Sequence, residues 1–533
     1  MPFPERSRGY DVYPGAQRNY YPGQFLDNLG KLKISQSQNL FEADFEYGAQ
    51  PMRWEQFTSG GGTIAATSGI GGVTMTIPVT SGALAIRQTR PYIRYQPGKT
   101  SYMATGMLFG GPVINARQRV GFFDDGNGAF FEQADPSNPL NPDGMFLVWR
   151  SDVGGVPVDT RIPFSEWLDP AGIKETVDFR RIQMFWIEYA WYGAGTIRWG
   201  TVINGIPYVL HQIGFGNYPS WGPQGAAAQT VAWARTGNLP VRYELRNIGT
   251  ASAVTNMVHY GVSVLAEGRV DPQRGYNYGY GMASGTPTRS PGASAVRFPL
   301  LSIRYRVMGT LEYGVDAAYS GANGALPAGG AALQAGATTT ACTVAGTPWT
   351  PGQWAGKYVF FRGTGASGQG QIGRITASTN NGLTYVDNVT GGPLATAPAA
   401  AANYIIGVID RGQILPETLQ IFSSANCTLE LIVSTFDRPV VLTGAAFATL
   451  YSLGSQQSFA ERDVTAASMT GGEVVYNAPL PSGGLQSYDL SSFFPLYNNL
   501  RGNQPDILTV AISTPAAFAG NVGASLIGQE AMA

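Results

Sequence analysis

The sequence is poor in charged residues and almost lacks the residues that build metal sites and disulfides. Of its 533 residues, 13% are Asp, Glu, Lys or Arg, whereas about 25% is usual in globular proteins. It contains two cysteines, Cys342 and Cys427, and two histidines, His211 and His259. A structural zinc site needs three or four ligands at defined spacings, so we expect no metal site and no cofactor.

Further absences exclude classes of partner. Lys+Arg is 34 and Asp+Glu is 35, and the chain has no basic block of the kind that neutralises phosphates, so we expect no nucleic-acid binding. No run of about 18 apolar residues predicts a transmembrane helix. The opening MPFPERSRGYDVYPG has no apolar segment of the kind that signal peptides carry. We therefore expect no membrane insertion and a product made in a cytoplasm.

Glycine and short alternating segments are abundant instead. The chain has 70 Gly and 35 Pro with 44% hydrophobic residues, which is enough apolar material for packed cores. Between residues 41 and 310, segments such as GGVTMTIPVT and LPVRYEL alternate with period two. Asn204-Gly205 is a hairpin signal, because type I′ turns need positive φ at both central residues. The pattern predicts an all-β fold with one or more jelly-roll-like β-sandwiches.

Residues 1–40 predict an extended N-terminal arm. Prolines punctuate this segment, and proline removes backbone donors and favours extended conformations. We expect the arm to anchor the protein on a partner, although a floppy tail is the alternative. The anchoring residues would be the arginines and tyrosines of this segment: Arg6, Arg8, Tyr10, Tyr13, Arg18, Tyr20 and Tyr21.

Two Ala/Gly/Pro-rich stretches divide the rest of the chain. They indicate the edges of an insertion, since a strand near Ile303–Val307 is interrupted at about 311 and strand signals resume at 408. We predict a β-sandwich at 41–310, an inserted small β-module at 311–407, and a C-terminal β-region at 408–533 that completes or adjoins the sandwich. The flanking strands, Ile303–Val307 and Leu415–Phe422, are expected to be neighbours in one sheet.

The insert also carries a resemblance. Residues 352–375 read GQWAGKYVFFRGTGASGQGQIGRI, with TASTNNGLTYVDN and NYIIGVI further on. A Trp-Ala-Gly entry, an aromatic strand, a glycine turn before a Gln-rich strand and a closing Tyr-Ile-Ile strand are similar to a small module of tail fibres and other structural proteins of tailed bacteriophages. The resemblance implies a virion part and not an enzyme.

A second resemblance lies outside the insert. IEYAWYG at 187–193, LPVRYE at 239–244 and the later QPDILT resemble segments of phage structural and fibre-like proteins, with Ala190 where the pattern usually has an acid. The resemblance implies a fibre, spike or decoration-type protein of the virion. It also implies contacts with other virion proteins and a homotrimer, because phage fibres and spikes are commonly threefold.

Aromatic residues between 165 and 221 leave a second function open. Sugars stack on exposed aromatic faces, so this region could make the protein an adhesin for host surface glycan, while the alternative is that the rings fill the sandwich core. The candidate glycan-binding residues are Trp167, Trp191, Tyr192, Trp199 and Tyr208.

Acidic residues leave a third function open, a capsular polysaccharide depolymerase. Glycosidases need two carboxylates that flank the sugar bond, and Glu188 and Glu244 lie in aromatic strands where burial would raise a pKa. The other interpretation is that both face the polar side of a half-solvated sheet. Asp124 and Asp125 could bind Ca²⁺, although FFDDGNG fits a hairpin turn equally well. We assign no catalytic residue.

Overall fold

A computed structural model gives the architecture, and the chain falls into two compact units, Met1–Asp271 and Pro272–Ala533. The residues Arg6, Arg8, Tyr10, Tyr13, Arg18, Tyr20 and Tyr21 of the predicted arm lie outside the described residues. The structure describes residues 36–67, 69–135, 143–191, 195–215, 232–268, 275–282, 288–291, 297–307, 310–315, 330–362, 370–399, 402–409, 411–434, 438–449, 458–493, 495–514 and 518–531.

The prediction of an all-β fold is confirmed. Apart from strands, the described residues form only two single-turn 3₁₀ helices, Phe164–Glu166 and Lys174–Thr176. No helix in the described ranges is long and apolar enough to cross a membrane. The strands of the first unit are β1 (Ser37–Asp44), β2 (Trp54–Ser59), β3 (Thr63–Thr67), β4 (Gly72–Ile77), β5 (Leu84–Thr89), β6 (Ser101–Phe109), β7 (Ala116–Phe123), β8 (Gly128–Gln133), β9 (Met145–Ser151), β10 (Val158–Pro163), β11 (Gln183–Tyr189), β12 (Thr196–Ile203), β13 (Ile206–Gly214), β14 (Val241–Asn247) and β15 (Thr255–Glu267).

Two antiparallel sheets make the first unit a β-sandwich. The eight-stranded sheet has the order β13-β12-β11-β6-β15-β4-β3 with β1 also on β15, and the seven-stranded sheet has the order β10-β9-β8-β7-β14-β5-β2. Alternate side chains of both sheets meet in one core. Phe131 and Phe185, from opposite sheets, lie 4.7 Å apart between ring centroids. Many strands that are neighbours in a sheet are not consecutive in the chain. This is the jelly-roll-like arrangement that the sequence pattern predicts.

Two local predictions have different outcomes in this unit. The Asn204-Gly205 hairpin is confirmed, because φ is 52° at Asn204 and 78° at Gly205 and both strands of the hairpin pair with each other. The limit of the arm at residue 40 is wrong. Residues 37–40 belong to β1, which pairs with β15 from Ser37 onwards. Buried and exposed residues alternate only in the C-terminal half of this strand, so the sequence pattern does not reveal its beginning.

The second unit holds the remaining strands. They are β16 (Tyr276–Gly281), β17 (Arg297–Tyr305), β18 (Thr310–Val315), β19 (Ala341–Thr343), β20 (Tyr358–Phe361), β21 (Gln371–Ser378), β22 (Gly382–Asp387), β23 (Tyr404–Val408), β24 (Gln413–Ser423), β25 (Cys427–Ser434), β26 (Val440–Thr443), β27 (Ala448–Thr449), β28 (Ala460–Asp463), β29 (Ser468–Gly471), β30 (Glu473–Leu480), β31 (Leu485–Asp489), β32 (Ile507–Ser513) and β33 (Val522–Ala531).

A second sandwich occupies most of this unit, and it corrects the predicted boundary at 310. Its four-stranded sheet has the order β16-β33-β24-β31, and its six-stranded sheet has the order β27-β28-β17-β32-β25-β30. Strands β16 and β17 precede residue 310 but pair with β33 and β32 near the end of the chain. The 41–310 segment therefore contributes to two sandwiches, and the long sequence separation of these pairs hides them from local patterns.

The strands between Thr310 and Val408 form a sheet of their own, the module sheet. Its order is β18-β23-β20-β21-β22-β19, and Trp354, Phe361 and Tyr385 lie in its core. The expectation that the flanking strands are neighbours in one sheet is wrong. The flanks are β17 in the six-stranded sheet and β24 in the four-stranded sheet. The chain therefore enters the module from one sheet of the second sandwich and continues after it into the other sheet.

Candidate functional site

The outer face of the seven-stranded sheet carries a dense set of charged side chains, which we call the ion layer. In β14, Val241, Tyr243 and Leu245 point into the core, so Arg242 and Glu244 point to the opposite face. The neighbouring strands add charges of both signs. The ion layer consists of Asp125, Arg119, Glu132, Arg150, Asp159, Arg161, Arg242, Glu244 and Arg246.

Arg119 is the centre of the ion layer. Its Nε donates to Glu132 Oε2 at 2.7 Å, and its Nη1 donates to Glu244 Oε1 at 3.0 Å. A third bond, from Nη2 to Asp159 Oδ2, measures 3.3 Å. Strand β7, which carries Arg119, lies between β8 with Glu132 and β14 with Glu244. Because Asp159 lies on β10, one guanidinium thus links β7 to three other strands and contacts three carboxylates.

Arg242 ties the β7–β8 turn to the layer. Its Nη1 donates to Asp125 Oδ1 at 2.7 Å. Asp124 Oδ1 accepts hydrogen bonds of 2.8 Å from the backbone N–H groups of Gly126 and Asn127, which is the side-chain bonding of a tight turn. Asp124 therefore accepts hydrogen bonds from the turn backbone, and Asp125 forms an ion pair with Arg242. No group of three metal-ligating side chains occurs in the described part of the chain.

Aromatic rings lie among the guanidinium groups. Arg150 bonds Asp159 through Nε at 2.7 Å and Nη2 at 3.0 Å, and its Cζ lies 5.3 Å from the ring centroid of Phe130. The Cζ of Arg242 lies 5.4 Å from the ring of Phe123. Ring faces attract cations, so the phenylalanines add to the stabilisation of these arginines while the carboxylates neutralise them.

The arginines keep the carboxylates of the layer ionised. Burial raises the pKa of Glu244, but the charges of Arg246, Arg119 and Arg242 outweigh it and lower the pKa below the ordinary range. The same balance lowers the pKa of Glu132. A glycosidase acid needs a raised pKa so that it holds a proton. These carboxylates have the opposite property and suit a structural ion layer.

Glu188 and Glu244 do not form a facing pair. Glu188 lies on β11 between the core residues Ile187 and Tyr189, so it points outward from the eight-stranded sheet, whereas Glu244 points outward from the seven-stranded sheet. The interpretation of a half-solvated polar face is also wrong, because Glu188 and Glu244 are 1% and 0% exposed. Each is satisfied by arginine, Glu188 by Arg198 at 3.4 Å.

The five candidate glycan-binding aromatics separate into three groups. Trp167 and Trp199 are buried in the core, which corrects their assignment, because a sugar needs an exposed ring face. Trp191 and Tyr208 are half-buried, and Trp191 Nε1 donates to the carbonyl of Ala234 at 2.7 Å. Tyr192 lies outside the described residues. Two of the four described rings are therefore core residues, and the other two are partly exposed.

The cysteines and histidines belong to no group of metal-ligating side chains in the described ranges. Cys342 and Cys427 are buried free thiols, and Cys427 packs in the core of the second sandwich. Burial lowers the pKa of His211 to about 4, and its Nδ1 accepts a hydrogen bond from the backbone N–H of Leu168 at 3.1 Å.

The sequence analysis did not predict the ion layer. The alternation of Arg242, Glu244 and Arg246 in one strand is nevertheless a signal for it, because alternate residues of a strand share one face of the sheet.

Comparisons with known proteins give structural likeness only. No family model and no curated protein matches the chain. A glycosyl hydrolase family 16 protein from Mycobacterium smegmatis str. MC2 155 is 11% identical with a TM-score of 0.27, covering 43% of this chain and 100% of its own. The carbohydrate recognition domain of Emp47p is 10% identical with a TM-score of 0.28, covering 44% and 98%.

A lectin is a third such match. Lectin I-B4 from Griffonia simplicifolia is 12% identical with a TM-score of 0.24, and the match covers 42% of this chain and 99% of the lectin. At these identities and TM-scores, the matches assign neither an activity nor a ligand to this chain.

Proposed function

We propose that the chain is a structural protein of a tailed-phage virion, of the fibre, spike or decoration type. The observation that carries the proposal is the ion layer, in which arginines hold Glu132 and Glu244 as buried ion pairs. Acids used in this way cross-link strands and serve no proton transfer. The resemblance of the insert and of residues 187–193 to phage structural proteins gives the setting.

The proposal includes a location and partners. The protein is made in the host cytoplasm and resides in the virion, where the segment before β1, residues 1–36, anchors it to other virion proteins. It associates as a homotrimer, because a weakly charged chain with many strand edges needs those edges covered. Light scattering on the purified protein measures this property, with a mass of three chains expected.

Gradient-purified particles of the encoding phage provide the test. Mass spectrometry should find the chain in the particles at a fixed ratio to the major capsid protein, and a variant lacking residues 1–36, which precede β1, should fold but remain unincorporated. The chain's absence from purified particles would overturn the proposal. Release of reducing sugar from capsular polysaccharide would indicate the depolymerase instead, and binding to a glycan array without incorporation would indicate the adhesin.

A further inference from the structure

Arg87 is a buried cation that pairs with no carboxylate in the described part of the chain. It lies on β5 and is 0% exposed, and among the described residues its side chain makes one hydrogen bond, from Nη2 to the carbonyl of Ala49. By contrast, the buried Arg119 and Arg242 each contact at least two carboxylates. Burial lowers the pKa of Arg87 to about 10, which leaves the guanidinium charged at neutral pH.

Aromatic side chains surround this guanidinium inside the first sandwich. The Cζ of Arg87 lies 4.8 Å from the ring centroid of Phe45 and 4.9 Å from that of Trp54. The ring of His259 stacks on Tyr243 at 3.9 Å and meets Phe45 edge-on at 4.7 Å. These cation–π contacts stabilise the charge in part, but none of the rings carries a negative charge.

Several polar atoms of the same cluster have no hydrogen-bond partner among the described residues. They are Nε and Nη1 of Arg87, Nε1 of Trp54, and Nδ1 and Nε2 of His259. Buried polar groups in proteins are nearly always hydrogen-bonded, and a group that is not points to an ion or a water molecule at the site. Donors predominate in this set, because Arg87 and Trp54 carry only N–H groups.

We propose that Arg87, Trp54 and His259 form an internal binding site for a small monovalent anion of the chloride type. The N–H groups of Arg87 and Trp54 donate to the anion, and neutral His259 donates its single ring N–H. An anion accepts from donors only and also supplies the missing negative charge. Water would satisfy the N–H groups but would leave the guanidinium without a counterion in a medium of low polarity.

Thermal unfolding of the full chain in sodium fluoride, chloride and bromide at equal ionic strength tests the site. Binding raises the melting temperature with the logarithm of anion concentration, so bromide and chloride should stabilise the first unit more than fluoride at millimolar concentrations. General salt effects favour the strongly hydrated ion and give the opposite order. Arg87→Met should lose the bromide effect, and Arg53→Met, which removes a nearby surface charge, should keep it.

Crystals of the wild-type protein grown with bromide test for a bound anion directly, and this test holds even if Arg87→Met fails to fold. The proposal predicts an anomalous peak within hydrogen-bond distance of Arg87 Nε or Nη1. A light-atom peak without anomalous signal would identify water and overturn it. Equal melting temperatures in the three salts would overturn it as well.

Discussion

Arg501 and Asp387 form an ion pair of 2.5 Å between Nη1 and Oδ2 that joins the inserted module to a loop of the second sandwich. Asn388 Nδ2 donates to the carbonyl of Arg501 at 2.6 Å, and Asn503 Nδ2 donates to the carbonyl of Gly370 at 2.8 Å. The module is therefore docked on the loop that precedes β32 and is more than an appendage on two linkers.

Arg501→Met should loosen this docking. The change leaves Asp387, which is 5% exposed, without its cation, so we expect a loss of about 1–3 kcal/mol in unfolding free energy. Hydrogen exchange should increase near Asp387 and in residues 499–504. Arg438→Met is the control, because its pair with Glu473 is 62% and 44% exposed and should contribute less than about 1 kcal/mol. Equal effects of the two variants would contradict the docking role.

Glu244→Gln should destabilise the first unit strongly. It removes one carboxylate that Arg119, Arg242 and Arg246 share, and breaking such a buried pair costs about 3–5 kcal/mol. Urea unfolding followed by intrinsic fluorescence measures the loss. In the control Asp178→Asn, the affected pair with Arg181 is exposed, so the change should stay below about 1 kcal/mol. A Glu244→Gln loss as small as the control's would show that the ion layer is not structural.

Asp159 should make the first unit sensitive to acid. Burial raises its pKa, but the charges and hydrogen bonds of Arg150 and Arg119 outweigh this and lower the pKa from 3.8 to about 2. Since the folded-state pKa is the lower one, the stabilisation is present above the unfolded pKa and is lost as pH falls from about 4 to about 2. Urea unfolding across this window should show a shallower decline in Asp159→Asn, and an unchanged slope would refute the assignment.

Trp354→Ala should unfold the module and spare both sandwiches. The side chain is 4% exposed in the module core, and large-to-small changes of this type cost about 3–5 kcal/mol. Limited proteolysis with mass spectrometry should locate new cleavage sites between residues 310 and 408. The exposed Thr384→Ala on β22 is the matched control and should leave the digest unchanged. Cleavage spread through both sandwiches would show that the module shares their folding.

Local sequence patterns predict part of this fold and not the rest. The Asn204-Gly205 turn follows from backbone sterics, and the composition shifts near 311 and 408 lie close to the ends of the module sheet. Pairs such as Tyr276 with Glu530 lie too far apart in sequence for alternation to reveal, so the predicted boundary at 310 lies after the second sandwich has begun. The ion layer is likewise predicted only in part. Alternation places Glu244 and Tyr243 on opposite faces, but the partners of Glu244 come from strands whose neighbourhood only the fold defines.

The location of the chain in the particle tests the central claim most directly. A cryo-electron microscopy map of the phage that encodes it should contain repeated density into which both β-sandwich units fit, at a surface or tail position and in multiples of three copies. Particles whose map and protein content lack this chain, while the purified protein cleaves or binds a host polysaccharide, would contradict the account.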